Sequence, residues 1–311
     1  MPNFQHLNAR MKKAGLILLF MCLPILLFAQ QNTSSYSFGV RVIGSGKPMI
    51  LIPGFKGSAD TYNDVVAHYK DHYKCYVITL AGFAGQPASG VHDHLLLKQR
   101  DDIIRFIIQQ KLNKPVLVGF SFGGALAQWI TVTRPELISK LVDIDGTPFD
   151  ASLGSTTFNK DSLIKADAAR YARLVDETPA FWKKRDSIFH SPAMNKQGDI
   201  QLAKLVSDTN RIAGIEAWDK ASDFRTGALM DIEADTLDMR ESVGRINTPI
   251  LVLGSWTSWD YKDKPAGEAD YRKAYANAKN VTIVFSDRGK HFLMWEDFGW
   301  MLAQIDVFLK K

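Results

Sequence analysis

The segment Gly119-Phe120-Ser121-Phe122-Gly123 sets a serine between two glycines at the G-x-S-x-G spacing. Directly before it runs the apolar Pro115-Val116-Leu117-Val118, and directly after it the helix-forming Gly124-Ala125-Leu126-Ala127. A serine on a tight strand-to-helix turn presents its hydroxyl clear of the backbone, and the flanking glycines let that turn pass its neighbours without a Cβ clash. Such a serine can attack a carbonyl, provided a second group takes its proton. With Gly and Ser each near 7% of residues, chance supplies roughly 0.1 such spacings in a chain of this length, before the strand-turn-helix context is required.

A turn of this kind needs a sheet edge to stand on. Short apolar runs predict strands at 40–43, 49–52, 76–80, 116–118, 141–144, 250–253 and 281–285, with Pro115 and Pro249 just before two of them. Helical spacing separates them: Ile103, Ile104, Ile107 and Ile108, then Leu126, Trp129 and Ile130, and at the end 298–309 with Leu302, Ile305 and Leu309 on one side. This alternation predicts an α/β fold with a mostly parallel sheet covered on both faces. The charged stretch 149–246, with helical patterns at 163–175 and 200–206, interrupts the rhythm and reads as an inserted helical cap. The core then comprises 36–148 and 247–311.

Composition narrows the function classes. At 46% hydrophobic and 23% charged, the 311 residues have the profile of a globular protein. Arg10, Lys12 and Lys13 precede an apolar run from Leu16 to Phe28, and a polar stretch follows, which is a signal-peptide layout over 1–29 with Ala29 at the cleavage point. The run is shorter than the roughly 20 residues a spanning helix needs, so a cleaved leader and a periplasmic or secreted product are expected, with no stable membrane span afterwards. The formal net charge is +5, and losing those three basic residues leaves +2. No basic stripe interleaved with aromatics is present, so no nucleic-acid partner is expected. Past the leader only Cys75 remains, which excludes an internal disulfide and a cysteine metal site. His92-Asp93-His94 has a metal-like spacing but no third ligand, so neither a metal nor a cofactor is expected. Oligomeric state is left open.

On the elbow and the order of elements, the chain resembles the α/β-hydrolase superfamily, whose sheet is of the eight-stranded type. The resemblance implies that the elbow follows the fifth strand of that sheet, that a cap follows the sixth, and that a histidine stands after the last. Ser121, the 149–246 insertion and His291 fall in that order. His291 follows 281–285 by a short loop and precedes the closing helix. His6 lies in the leader, and His68, His72, His92, His94 and His190 have no strand-end placement. Ile52-Pro53-Gly54-Phe55 resembles the family's oxyanion segment, which implies backbone N–H donors at Phe55 and Phe122. Proline replaces the usual histidine at 53, but the donor is backbone.

The acid that orients His291 has two candidates. The family's usual acid lies about three residues past a glycine after the 250–253 strand, which is Thr257 here; Asp260 comes three residues late. Some members, certain haloalkane dehalogenases among them, place the acid at the end of the preceding strand, and Asp145 stands there. Asp145 is the first choice and Asp260 the alternative. Asp143, one strand period earlier, is expected deeper in the sheet on the same side. Phe55, Phe83, Phe120, Phe122, Phe149, Trp256, Phe292 and Trp295 lie next to these residues or at strand ends; about half are expected in the core, and Phe83, Phe120, Phe149, Trp256 and Phe292 are the residues expected to line an apolar pocket. Together these readings imply acyl transfer to water on a small-molecule ester, with a lactonase, an aminopeptidase or a non-catalytic binding protein as alternatives. A serine nucleophile argues against the dehalogenase and epoxide hydrolase reactions, which in this fold use an aspartate.

Overall fold

Apolar runs with no alternation, such as Val116–Phe120 and Ile250–Gly254, must be covered on both faces. The computed structural model, which describes residues 36–91, 93–149, 159–257 and 261–310, does this with a single central sheet. Its strands are β1 (Phe38–Ile43), β2 (Lys47–Ile52), β3 (Tyr73–Leu80), β4 (Val116–Phe120), β5 (Lys140–Ile144), β6 (Ile250–Gly254) and β7 (Val281–Phe285). The seven strands among the described residues lie in the order β1-β3-β2-β4-β5-β6-β7. β1 runs antiparallel to β3 and every other pair is parallel. β1 alternates in burial, with Val40 and Val42 exposed, because it forms the edge. β4 and β6 are buried throughout. All seven runs expected from the sequence are strands.

The helices flanking the sheet are α1 (Asn63–Tyr69), α2 (Leu95–Gln109), α3 (Phe122–Thr133), α9 (Lys264–Ala274), α10 (Leu293–Glu296) and α11 (Phe298–Lys310). Between β5 and β6 come α4 (Lys160–Leu174), α5 (Pro179–Phe189), α6 (Pro192–Leu205), α7 (Thr209–Lys220) and α8 (Phe224–Asp235). The helical pattern at 200–206 is therefore the end of a longer helix, which starts with Pro192 in its first turn, where a missing N–H costs nothing. α11 buries Met301, Leu302, Ile305 and Phe308 in the cluster that holds Val116, Val118 and Phe120. Each such side chain is worth about 1.5–3 kcal/mol of transfer free energy. The insertion also supports the core: α2 has no side-chain cap of its own, and Glu233 of α8 accepts the N–H groups of Leu95 and Leu96 at 2.8 and 3.0 Å. Burial nonetheless pushes the Glu233 carboxyl up, against those hydrogen bonds.

The chain steps from β2 to β3 on one side and then crosses back to β4 on the other. β2 and β4 are thus adjacent strands whose carboxyl ends feed connections in opposite directions, with Ile52 in register with Gly119. In open parallel sheets this is where ligands bind. The loops carrying Phe55 and Ser121 leave from that point. No helix among the described residues is long and apolar enough to cross a membrane. The leader-like segment 1–29, His92 and Asp260 lie outside the described residues.

Candidate active site

Ser121 follows the last residue of β4 and precedes the first of α3, with φ 52° and ψ −122°. An L-residue held there stores of order 1–3 kcal/mol, so its surroundings must over-determine it. Three backbone hydrogen bonds do so: the Ser121 N–H donates to the Ile144 carbonyl at 2.8 Å, and the Ser121 carbonyl accepts from Gly124 and Ala125 at 2.7 and 3.1 Å. The glycines are required by space. A Cβ on Gly119 would come 2.4 Å from the Gly123 carbonyl oxygen, and one on Gly123 2.3 Å from the carbonyl oxygens of both Ile52 and Pro53. The elbow is thereby pressed against the end of β2.

Asp143 supports the elbow from beneath. A Cβ on Gly124 would meet its Oδ1 at 2.1 Å, and its Oδ2 accepts from Gln128 Nε2 at 2.6 Å and from the Tyr275 hydroxyl at 2.7 Å. Burial, joined by this carboxylate's charge, pushes the Tyr62 phenol well above its ordinary value.

Asp145 also has a positive φ, 53°, and its N–H donates to the Leu253 carbonyl at 2.7 Å. Its side chain is fully buried. Oδ1 accepts from the Ser255 N–H at 2.6 Å and the Tyr271 hydroxyl at 3.1 Å; Oδ2 accepts from the Ser255 hydroxyl at 2.7 Å. His291 Nδ1 lies 2.6 Å from Oδ2. An ionised carboxylate only accepts, so the shared proton sits on Nδ1 and leaves Nε2 with a lone pair. The imidazole packs against the Phe120 ring at 4.7 Å and the Phe292 ring at 5.6 Å. Its loop is fixed from behind, where the Ser286 hydroxyl donates to Asp297 at 2.7 Å and accepts the Gly289 N–H at 2.7 Å.

Ser121 and His291 open into one cavity of about 420 Å³. Its walls are mostly apolar and come from both parts of the chain: Phe55, Phe120 and Phe292 from the core, and Phe189, Met194, Leu202 and Ile215 from the insertion. Glu216 is among the polar residues on the insertion side, and a hydrogen bond with Asp199 pushes its carboxyl up. Gly54 to Gly57 forms a turn closed by the Gly57 N–H on the Gly54 carbonyl at 2.9 Å. The Phe55 ring meets Phe122 at 5.5 Å, which sets both expected oxyanion residues side by side. As the first residue of α3, Phe122 has no intrahelical acceptor for its N–H, and the helix dipole favours negative charge there.

The expected pocket needs correction. Phe83, Phe149 and Trp256 do not line this cavity. Phe83 is fully buried behind it, packed on Phe55 at 5.4 Å and Phe122 at 6.0 Å. Phe149 is buried under the Arg240 guanidinium, 4.8 Å from its ring centre. Trp256 instead borders Gly267 in α9. Position next to motif residues or at strand ends suggests a place at the site, but the insertion provides that wall. Asp145 and His291 are brought together; Asp260 lies outside the described residues. Ser255 and Tyr271, which complete the Asp145 shell, were missed, although a serine directly after the glycine ending a strand was a usable signal.

Comparison with known proteins agrees with this architecture. The sequence model of a family described as "Alpha/beta hydrolase family" matches residues 49–302. A Synechocystis sp. protein named "Putative non-heme chloroperoxidase" is 26% identical over 239 residues, covering 74% of this chain and 81% of that one. The pimeloyl-[acyl-carrier protein] methyl ester esterase of Aliivibrio fischeri is 25% identical over 112 residues, 36% of this chain and 41% of the esterase, so the chain matches under half of that relative's length. The enol-lactonase of Burkholderia xenovorans superposes with a TM-score of 0.66 at 15% identity, over 88% of this chain and 96% of that one, and shares the fold.

Proposed function

Because the chain belongs to the alpha/beta hydrolase family, we propose that it is a serine hydrolase that cleaves carboxylic esters of small or medium acyl groups through an acyl-enzyme. The observation that carries this reading is the buried Asp145–His291 pair, 2.6 Å apart, whose histidine opens with Ser121 on one mostly apolar cavity. Ser121 Oγ attacks the ester carbonyl as His291 Nε2 takes its proton. The tetrahedral oxyanion is held by the N–H groups of Phe55 and Phe122. Collapse expels the alcohol, to which His291 returns the proton. Water, deprotonated by His291, then attacks the acyl-Ser121 ester, and release of the acid restores the serine. Asp145 holds the imidazole in the required tautomer throughout.

An apolar cavity of about 420 Å³ suits a short acyl chain or an aryl group better than a charged peptide. The purified protein is therefore expected to hydrolyse p-nitrophenyl butyrate and to be labelled by a fluorophosphonate at Ser121 alone. An absence of both labelling and ester hydrolysis would refute the reading and favour a binding role for the fold. The methyl ester named for the Aliivibrio fischeri relative is the same bond class.

We also propose that the protein is exported, on the basic-apolar-polar order of residues 10 to 35. Sequencing of the exported product is expected to find an N-terminus close to Gln30; an intact Met1 or Met11 would sink this.

A further inference from the structure

Lys56 stands where the backbone favours glycine. It is the third residue of the Gly54–Gly57 turn, with φ 53°. A glycine there would be unstrained, and unlike Lys111 and Lys114, which share this backbone conformation and are exposed, Lys56 is buried. That side chain is 8% exposed, and its ammonium is ion-paired with Asp219 of α7. The ring centres of Phe55, Phe189 of α5 and Phe224 of α8 lie 5.6, 4.9 and 5.6 Å from Nζ, so the charge is enclosed on its aromatic sides by favourable ring faces. Asp219 is itself held from the other side by His190 Nε2 at 3.1 Å, whose Nδ1 lies 2.8 Å from Asp186.

A second residue departs from local preference for the same reason. Gly227 lies within α8, where glycine weakens a helix. A Cβ on it would meet Lys56 Cε at 2.9 Å and Phe55 Cζ at 3.5 Å. The lysine accepts backbone strain and the helix accepts a glycine, and both let one side chain run from the turn into the insertion.

We propose that Lys56 is a positioning residue, which ties the Gly54–Gly57 turn to α5, α7 and α8 and thereby aims the Phe55 N–H at the oxygen of the reacting carbonyl. This rests on the proposed serine-hydrolase reading, in which Phe55 is an oxyanion donor. Oxyanion donors act on the transition state far more than on bound ester, so the tether belongs to kcat rather than to KM.

The test uses the full chain with p-nitrophenyl butyrate, kcat and KM read separately, and the melting midpoint of each variant. Lys56→Gly, which suits the turn, and Asp219→Asn are each expected to lower kcat by about 10–100-fold, with KM within about threefold. The double variant should be no slower than Lys56→Gly alone, and Asp219→Glu should keep most of kcat. Unchanged kcat in Lys56→Gly, a raised KM with kcat intact, or losses that add in the double variant would overturn the proposal. If Lys56→Gly fails to fold, Asp219→Asn against Asp219→Glu decides on the same readout. Failure of the underlying reading shows separately: the protein with Lys56 intact would then not be labelled at Ser121.

Discussion

Ser121→Ala is expected to lower kcat/KM for p-nitrophenyl butyrate by about 10³-fold or more, which corresponds to about 4 kcal/mol of lost transition-state stabilisation. In the proposed mechanism the loss is in the nucleophile itself, since an oxyanion hole without one can assist only water. Fluorophosphonate labelling should vanish in the same variant. The fold should survive, because alanine keeps the Cβ that the elbow already accommodates and Ser121 is only half-buried. Ser121→Gly offers a contrast. It removes the same hydroxyl but suits φ 52°, so it should be equally inactive and more stable, by up to about 1 kcal/mol. Full activity in Ser121→Ala would place the chemistry elsewhere, whatever the strain at this position.

The elbow was legible because its requirement is local: glycines at 119, 123 and 124 are needed within a few residues of the serine, and their spacing is in the sequence. The strands were legible because full burial removes alternation, as in β4 and β6. The pocket was not. Phe189, Met194, Leu202 and Ile215 carry no motif and become a wall only when α5, α6 and α7 pack over the sheet's carboxyl edge. Phe83 follows the end of β3 and Phe149 stands four residues after Asp145, yet both are buried in the core. Lys56 had a visible signal, a lysine inside Gly-Phe-Lys-Gly, but its meaning depends on Asp219, which stands 163 residues further along the chain. The acid was half legible. Position at a strand end made Asp145 the first choice and Asp260 the alternative, whereas the distance to His291 and the polar shell from Ser255 and Tyr271 are nothing that spacing can supply.

Asp145→Asn is expected to lower kcat by about 10³–10⁴-fold while leaving the protein folded. The reason lies in which atom the amide nitrogen can occupy. At the Oδ1 position it would face the Ser255 backbone N–H, 2.6 Å away in the native protein, which cannot turn aside. It therefore takes the Oδ2 position, where the Ser255 hydroxyl can rotate to accept from it. There it also faces His291 Nδ1, and two donors cannot share that contact. The imidazole must give up the Nδ1 proton and carry it on Nε2 instead, the atom that has to accept from Ser121. A histidine protonated there is no base, and the imidazolium formed later loses its counter-charge. Asp260→Asn should lose less than about tenfold, because Asp260 comes three residues past the usual place of the acid in the sequence. The check is kcat for both variants with p-nitrophenyl butyrate, alongside circular dichroism and melting to show retained structure. Collapse in Asp260→Asn with survival in Asp145→Asn would transfer the role to the loop after β6. Survival of both would mean that His291 works without a carboxylate, as half of a Ser121–His291 dyad.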